Sequence, residues 1–294
     1  MSSVVKKGIV LAGGLGSRLY PASLAVSKQL LAVYDKPMIY YPLSVLMDIG
    51  VTDIMIIVNA GDADKFNALF GNGERLGINI RYAVEDHPKG IANAFIIASD
   101  FIDDDTVALI LGDNIYCDTG IIIRAVDKFE SGALVFGVTV YNPDEYGVAE
   151  VSEDGRVLSI EEKPTSPKSN IAVTGLYVYD SDVVAIAEGL KPSARGELEI
   201  TDVNMEYVRR GNIILANLGD EVPWFDAGTA QSMMRAGHAV ADREKQTGRK
   251  IGCPEEIALE CGYISLDQMR QQLESMPESD YKAYLTRIVA VQAG

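Results

Sequence analysis

The stretch that decides the fold is Lys7–Pro21, which reads KGIVLAGGLGSRLYP. A run of β-branched and small apolar residues leads directly into three glycines within four positions, and Ser17 and Arg18 follow them. Glycines let a backbone approach a ligand closely, and the free amides of such a turn bind phosphate oxygens. The stretch therefore predicts a buried first strand that ends in a phosphate-binding loop.

Two familiar glycine-rich motifs do not fit this loop. A Walker A loop requires Gly-Lys-Ser/Thr, whereas Gly16 is followed by Ser17 and Arg18. A dinucleotide-binding fingerprint requires a third glycine where Leu19 stands, which disfavours a dehydrogenase. A flexible strand-to-helix turn is the alternative, but Arg18 and Lys28 lie just beyond the loop and their charges favour phosphate binding.

Strand-like and helix-like segments alternate through the first half of the chain. A helix is predicted from Pro37 to Gly50, a buried strand from Asp53, and a second helix over Ala63–Phe70. The segments INIRYAVE and TVALILGDN are predicted strands on either side of a helical GIANAFIIASDFI. This alternation predicts a Rossmann-like, mostly parallel sheet with helices on both faces.

The pattern changes after Gly132. Four short strands, ALVFGVTV, GVAEVS, RVLSIEE and AVTGLYVY, predict a mixed β addition to the sheet, and LEITDVNMEYVRRG predicts a helix. Helical segments, CPEEIALECGYISLDQMRQQLESM and YKAYLTRIVAVQ among them, dominate the end of the chain. We expect one α/β domain over residues 1–231 and a helical C-terminal tail over residues 232–294.

Composition excludes several classes of protein. The 294 residues carry 42 acidic and 26 basic side chains, a net charge of -16, which argues against a nucleic-acid partner. No apolar run approaches the roughly 18 residues that cross a bilayer, so no membrane association is expected. Three cysteines and two histidines lack zinc-ligand spacing. A cytoplasmic protein with reduced cysteines is the expectation.

Long motifs along nearly the whole chain resemble one family. GIVLAGGLGSRLYP, VSKQLLAVYDKPMIYYPLSVLMDIG, LGDNIY, YGVAE, IEEKP, SNIAVTGLYVYD, KPSARGELEITDVN, WFDAGT and CPEEIA occur in order. They resemble the sugar nucleotidyltransferases, most closely the glucose-1-phosphate thymidylyltransferase branch with a long helical tail. The resemblance implies a catalytic domain over residues 1–231 that joins dTTP to glucose 1-phosphate, giving dTDP-glucose and pyrophosphate.

Carried over residue by residue, the resemblance implies a site for each substrate. The implied catalytic cations are Arg18, Lys28 and Lys163. The implied nucleotide-binding residues are Leu11, Ala12, Gly13, Gly14, Gly16, Ser17, Glu85, Pro88, Gly90 and Asp113. The implied sugar-phosphate-binding residues are Ile91, Tyr146, Gly147, Glu162, Lys163, Val173 and Arg195.

Asp113 and Asp226 are the candidate metal ligands. Asp113 ends a buried strand, at the sheet edge where ligands bind in open parallel sheets, and Asp226 stands in WFDAGT. Two carboxylates from distant segments can share Mg²⁺, which keeps phosphate and water ligands besides. A helix cap is the alternative role for such an aspartate. The resemblance implies that both bind the metal.

The implied mechanism is direct in-line attack of a sugar phosphate oxygen on the α-phosphorus of the triphosphate. A phosphate monoester dianion is already a nucleophile, which agrees with the lack of an evident Ser/His/Asp or Cys/His constellation. Catalysis then consists of positioning and charge neutralisation. A non-catalytic nucleotide-sugar sensor on the same fold is the competing class, but the retained cations and carboxylates argue against it.

The base pocket departs from the family. Glu85 stands where the family usually has Gln, and a carboxylate can accept the thymine N3–H but offers no donor to O4. It could equally accept from the amino group of cytosine, so UTP and CTP remain alternatives to dTTP. Lys89, Asn93 and Ala227 stand where Asp, Gln and Thr are common in this branch.

The helical tail carries a further implication. In the long thymidylyltransferases such a tail supports a homotetramer and a second nucleotide-sugar site used for feedback inhibition. Glu256 and Ile257 are the candidates for that regulatory site in this sequence. Simple helix packing is the alternative explanation of both residues.

Overall fold

The computed structural model describes residues 4–14, 16–219 and 222–293. Nine strands within these ranges form one sheet in the order β10-β9-β11-β6-β1-β4-β5, with β8 beside β11 and β12 beside β8. Two short ribbons, β2 with β3 and β7 with β13, stand apart from it. The strands are β1 Lys7–Ala12, β2 Ala32–Val33, β3 Lys36–Pro37, β4 Asp53–Asn59, β5 Asn79–Glu85, β6 Val107–Leu111, β7 Asn114–Tyr116, β8 Ala133–Thr139, β9 Gly147–Val151, β10 Val157–Glu162, β11 Ile171–Tyr179, β12 Ile213–Asn217 and β13 Trp224–Asp226.

The sheet confirms the predicted fold class. Strands β5, β4, β1 and β6 run parallel, so their carboxyl ends meet at one edge. Strand β11 pairs antiparallel with β6, β8 and β9, which is the predicted mixed addition. Strand β12, which no sequence pattern predicted, pairs parallel with β8. The parallel half therefore gathers the ends of several strands around the glycine loop.

The helices confirm most of the predicted elements. The prediction for α2 is correct at both ends, and the long tail segment after Cys253 proves to be two helices that break near Gly262. The helices are α1 Tyr40–Asp48, α2 Ala63–Phe70, α3 Asn93–Ile97, α4 Ser99–Ile102, α5 Gly120–Val126, α6 Asp182–Gly189, α7 Ile200–Arg210, α8 Ala230–Thr247, α9 Pro254–Glu260, α10 Leu266–Ser275 and α11 Asp280–Ala293.

The prediction of a helix beginning at Pro37 is wrong. Pro37 belongs to the β2–β3 ribbon, where it pairs with Ala32, and the helix begins at Tyr40. The backbone N–H groups of the next two residues also bind the preceding segment. Met38 N–H donates to the Leu31 carbonyl, and Ile39 N–H donates to the Gln29 carbonyl. Pairing with a preceding segment thus overrides the favourable proline at a helix start.

Buried apolar side chains cover both faces of the sheet. Alternate residues of the three central parallel strands point to opposite layers, as the period of a strand requires. One layer contains Val10, Ile56 and Ile110, and the other contains Ile9, Ile57 and Leu109. Helices α9, α10 and α11 contribute to the first layer. The tail is therefore packed onto the sheet domain, and α8 begins at Ala230, two residues before the predicted start of the tail at residue 232.

None of the helices in the described ranges combines the length and the apolar character that crossing a membrane requires.

Candidate active site

The glycine loop follows the carboxyl end of β1. Gly13 lies beside β5, since a Cβ added there would stand 3.2 Å from the Glu85 Oε2. Gly14 lies beneath Lys28, whose Nζ would stand 3.5 Å from an added Cβ. Gly16 adopts a left-handed conformation, with φ 64°, that starts a short 3-10 turn over Ser17–Leu19. Leu15 falls outside the described residues, so the loop is described on both sides of it.

Lys28 and Asp113 form a buried ion pair beside this loop. Lys28 Nζ lies 2.5 Å from Asp113 Oδ2, and the two side chains are 13% and 10% exposed. Burial raises the pKa of Asp113, but the Lys28 charge and hydrogen bonds from Lys28 and Asn114 outweigh it, so the pKa falls below its usual value. A cation and a carboxylate that the sequence separates by 85 positions therefore meet at the strand edge.

Asp226 is brought to the same edge by a two-stranded ribbon. In the register of β13 and β7 it pairs with Asn114, and the Ala227 N–H donates to the Asp113 carbonyl at 2.9 Å. Arg18 NH2 lies 3.6 Å from Asp226 Oδ2. Burial, and after it the charge of Asp113, raises the pKa of Asp226 above its usual value. The two carboxylates are thus close enough to repel each other, as carboxylates that share a cation do.

Asn114, for which no sequence pattern indicates a role, holds this arrangement together. Its Oδ1 accepts hydrogen bonds from Gly175 N–H at 2.9 Å and Trp224 Nε1 at 2.7 Å. Its Nδ2 donates to Asp113 Oδ1 at 3.2 Å. Gly175 has to be glycine, because a Cβ there would stand 2.7 Å from the Asn114 amide. The motif LGDN contains this residue, but nothing in the sequence indicates its partners.

A polar cavity of about 240 Å³ opens beside Asp113 and Asp226. Six of the seven predicted sugar-phosphate residues line it, together with Arg18 and both carboxylates. These six are Ile91, Tyr146, Gly147, Glu162, Lys163 and Val173. Trp224 also lines the cavity and packs its ring against Tyr146 with centroids 5.5 Å apart. Residues from β9, β10, β11 and the loop after β5 therefore share one space.

Glu162 is the hydrogen-bonding centre of the cavity wall. Its Oε2 accepts from Thr201 Oγ1 at 2.8 Å, and its Oε1 lies 3.3 Å from Arg195 NH2. Arg195 is the seventh predicted residue, and Glu199 also binds it, at 2.8 Å. A Cβ at Gly147 would come within 3.4 Å of Glu162 Oε2, so glycine leaves that oxygen open. Thr201 was missed, because a helical threonine carries no distinguishing signal.

Lys163 enters the cavity from an unusual backbone conformation. Its φ is 44°, a region that residues other than glycine seldom occupy. Its N–H donates to the Tyr146 carbonyl at 2.9 Å, which ties the end of β10 to the residue before β9. No described residue forms an ion pair with its ammonium. The cation is therefore held at the cavity and available to an anion.

The predicted nucleotide-binding residues lie along the glycine loop and the end of β5. Leu11 and Ala12 end β1, and Ser17 and Pro88 are exposed. Gly90 has a φ of 103°, and a Cβ there would stand 2.3 Å from the Leu198 carbonyl oxygen.

Glu85 itself is 7% exposed. Its Oε1 accepts hydrogen bonds from Asn93 Nδ2 at 2.8 Å and Lys89 N–H at 3.3 Å. Glu85, which stands where the sequences it resembles usually have Gln, thus has hydrogen-bond partners within the segment that follows it.

Glu256 and Ile257 lie apart from these residues, in a cavity of about 330 Å³ between α1 and the tail. Glu256 is 2% exposed and accepts from Tyr284 at 2.7 Å. Arg249 NH2 donates to Glu256 at 3.1 Å and to Glu260 at 2.6 Å. Burial raises the pKa of Glu256. The cavity is polar, and Arg249 already serves two carboxylates there.

Comparisons with known proteins agree with this geometry. The family model described as nucleotidyl transferase matches residues 7–243. A glucose-1-phosphate thymidylyltransferase of Mycobacterium tuberculosis is 47% identical over 285 residues, covering 96% of this chain and 99% of the relative. A protein of the same name from Xanthomonas campestris pv. campestris is 47% identical, with 96% and 97% covered.

Solved structures resemble the chain as well. A Bacillus anthracis protein, provisionally described as a glucose-1-phosphate thymidylyltransferase and solved with sucrose, superposes with a TM-score of 0.74 at 42% identity, covering 81% of this chain and 96% of that one. A UDP-glucose pyrophosphorylase at 23% identity, with a TM-score of 0.72, shares the fold. With its glycine loop, paired carboxylates and polar cavity in the matched region, this chain belongs to the nucleotidyl transferase family.

Proposed function

We propose that the chain joins dTTP to glucose 1-phosphate, giving dTDP-glucose and pyrophosphate. The observation that carries this proposal is the convergence of the glycine loop, Lys28, Asp113 and Asp226 at the sheet edge, with a polar cavity directly beside them. A triphosphate fits the loop and its cations, and a sugar phosphate fits the cavity. The names of relatives 47% identical to the chain support dTTP and glucose.

In the proposed reaction an oxygen of the sugar phosphate attacks the α-phosphorus, and the bond to the β-phosphate oxygen breaks. The loop amides and Arg18 bind the leaving pyrophosphate. Lys28, beside Gly14, and Lys163, inside the cavity, offset charge on the reacting phosphates. The work of the protein is positioning and charge stabilisation, and no side chain has to remove a proton from the nucleophile.

Asp113 and Asp226 suit a divalent cation. Burial and, after it, the charge of Asp113 raise the pKa of Asp226, and a cation shared by the two carboxylates would offset their repulsion. Two carboxylates suffice for Mg²⁺, because it completes its shell with phosphate and water. Bound there, Mg²⁺ would neutralise triphosphate charge.

The cavity wall suits a hexose. Glu162 can accept from sugar hydroxyls, and Gly147 leaves the space beside its Oε2 open. Arg195 is partly neutralised by Glu162 and Glu199, so it would have to move to bind a phosphate. We therefore place the sugar phosphate nearer to Lys163 and assign Arg195 the role of orienting Glu162.

The test is pyrophosphate release with Mg²⁺, glucose 1-phosphate and dTTP, UTP, CTP or ATP in turn. Release that depends on both substrates, and is fastest with dTTP, is the expected result. Nucleotide binding without pyrophosphate release from any triphosphate would instead support the sensor. A strong preference for ATP would overturn the choice of dTTP, while leaving nucleotidyl transfer intact.

We propose the remaining assignments on the resemblance. The chain acts in the cytoplasm as a homotetramer, its catalytic domain and tail divide near residue 231, and Glu256 and Ile257 belong to a second nucleotide-sugar site. Binding a diphosphate there would require Arg249 to leave Glu256 and Glu260. Sedimentation measures the oligomer, and inhibition by dTDP-glucose that saturating dTTP does not relieve would reveal the second site.

A further inference from the structure

The end of β5 presents a carboxylate to the glycine loop. Glu85 is buried except for 7% of its surface, and its Oε2 would stand 3.2 Å from a Cβ added at Gly13. No described residue donates a hydrogen bond to Oε2. Because Glu85 Oε2 faces Gly13 at the start of the glycine loop, a nucleotide whose phosphates lie along that loop can place its base against this carboxylate.

Asn93 fixes how that carboxylate can be used. Its Nδ2 donates to Glu85 Oε1 at 2.8 Å, and the Lys89 N–H reaches the same oxygen at 3.3 Å. A carboxylate only accepts, so the amide of Asn93 has to turn its nitrogen toward Glu85. That nitrogen carries a second hydrogen, for which the described residues offer no acceptor. The pair therefore presents one free acceptor, Oε2, and one free donor.

The segment that carries Asn93 is held rigidly. Leu198 N–H donates to the Lys89 carbonyl at 2.6 Å, and Ala92 N–H donates to the Leu198 carbonyl at 3.2 Å. Gly90 packs so tightly against Leu198 that a Cβ would stand 2.3 Å from its carbonyl oxygen. Asn93 begins α3 directly after these contacts with Leu198 and is 8% exposed. The donor and the acceptor are thus positioned before any ligand arrives.

Resting on the proposed function, we infer that Asn93 is a specificity-determining residue, which together with Glu85 reads the base. Glu85 Oε2 accepts the N3–H of a 2,4-dioxopyrimidine, and the second N–H of Asn93 donates to its O4. Glu85 and Asn93 together thereby supply the acceptor and the donor that the side-chain amide of a single glutamine at position 85 would supply. Cytosine fits poorly, because its amino group meets the Asn93 donor and its N3 has no hydrogen for Glu85.

The experiment compares kcat/KM for dTTP, dUTP and dCTP in the wild type, Asn93→Leu and Asn93→Gln. In the wild type, dTTP and dUTP should each exceed dCTP at least tenfold, as expected when buried polar groups are left unpaired. Asn93→Leu keeps a similar volume without the donor, so the dTTP:dCTP ratio should fall about tenfold. The ratio of dTTP to dUTP should stay constant, since these bases share the edge that Asn93 reads.

Asn93→Gln retains an N–H donor and should keep the dTTP:dCTP ratio within about threefold of the wild type. The KM for glucose 1-phosphate should be unchanged in both variants. A purely structural role for Asn93 predicts equal losses with all three nucleotides, and that result would overturn the inference. If Asn93→Leu does not fold, the wild type decides, because equal rates with dCTP and dTTP are incompatible with this pair. In either case pyrophosphate release would persist, so the proposed transfer would stand.

Discussion

Replacing Asn114 with alanine should lower the free energy of unfolding by about 3–5 kcal/mol. The residue is 2% exposed, and its amide joins Asp113, Gly175 and Trp224. Alanine leaves the buried N–H of Gly175 without an acceptor, which costs about 1–3 kcal/mol. The indole N–H of Trp224 also loses its acceptor, and because it is nearer to solvent this loss costs about 1 kcal/mol. Loss of the bond to the Asp113 carboxylate adds about 1.5 kcal/mol or more.

The matched control is Trp224→Phe, which removes only one of these three hydrogen bonds. It should cost about 1 kcal/mol, because Asn114 Oδ1 keeps its bond to Gly175. The double variant should lose less than the sum of the two single losses, with a coupling of about 1 kcal/mol, since both single variants delete the same contact.

Urea unfolding followed by circular dichroism measures these values. Tryptophan fluorescence is unsuitable, because Trp224 is the only tryptophan of the chain. A loss below 1 kcal/mol in Asn114→Ala, or strictly additive single losses, would refute the reasoning. Turnover provides a second readout, because Asp113 loses a hydrogen bond and should move. We expect pyrophosphate release to slow at least tenfold in Asn114→Ala and much less in Trp224→Phe.

Three further predictions follow from charge, titration and backbone conformation. Arg18→Ala and Lys28→Ala should each lower kcat for pyrophosphate release about 100-fold or more, as the loss of a transition-state charge contact does, and near-normal turnover would remove that role. Burial raises the pKa of Asp48 from 3.8 to about 6, so the folded state holds an extra proton between these values. Wild-type stability relative to Asp48→Asn should therefore be highest below pH 4 and fall by about 3 kcal/mol as the pH rises through 6, and a difference in urea midpoints that does not change with pH would contradict this. Gly90→Ala should destabilise the fold by about 2 kcal/mol or more and raise the KM for the nucleotide, because its φ of 103° and the nearby Leu198 carbonyl exclude a side chain; an unchanged melting temperature would argue otherwise.

Local periodicity was sufficient for the central elements of the fold. Helix α2 and strand β4 were predicted because their buried residues recur at the spacing of one helix face or form a continuous apolar run. The start of α1 could not be predicted in this way. Proline is favoured at the first position of a helix, but Pro37 instead pairs with Ala32 in a two-stranded ribbon. No local sequence pattern indicates that ribbon. Strand β12 could not be predicted for a similar reason, because it pairs with β8, which is distant in the sequence.

The residue types of the site were easier to predict than the hydrogen bonds between them. Motifs along the chain indicated cations, carboxylates and a glycine loop, and the structure brings these groups to one edge of the sheet. The sequence could not indicate that Asn114 bonds to groups 61 and 110 positions away. The same holds for the contact of Asn93 with Glu85, because an asparagine at the start of a helix is common and its partner depends on how the loop before it is folded.

The pairing of charges explains how an acidic chain with a net charge of -16 can handle polyphosphates. Lys28 is paired with Asp113 and Arg18 with Asp226, so each cation is held by one of the two carboxylates that suit a metal. Under the proposed function, Asp113 and Asp226 would hold Mg²⁺, and Lys28 and Arg18 would then be free to bind the phosphates. Because both exchanges have to occur together, a nucleotide without metal should leave Lys28 and Arg18 where they are. Under this proposal the charges that bind phosphate would be released by the same event that brings the phosphate in.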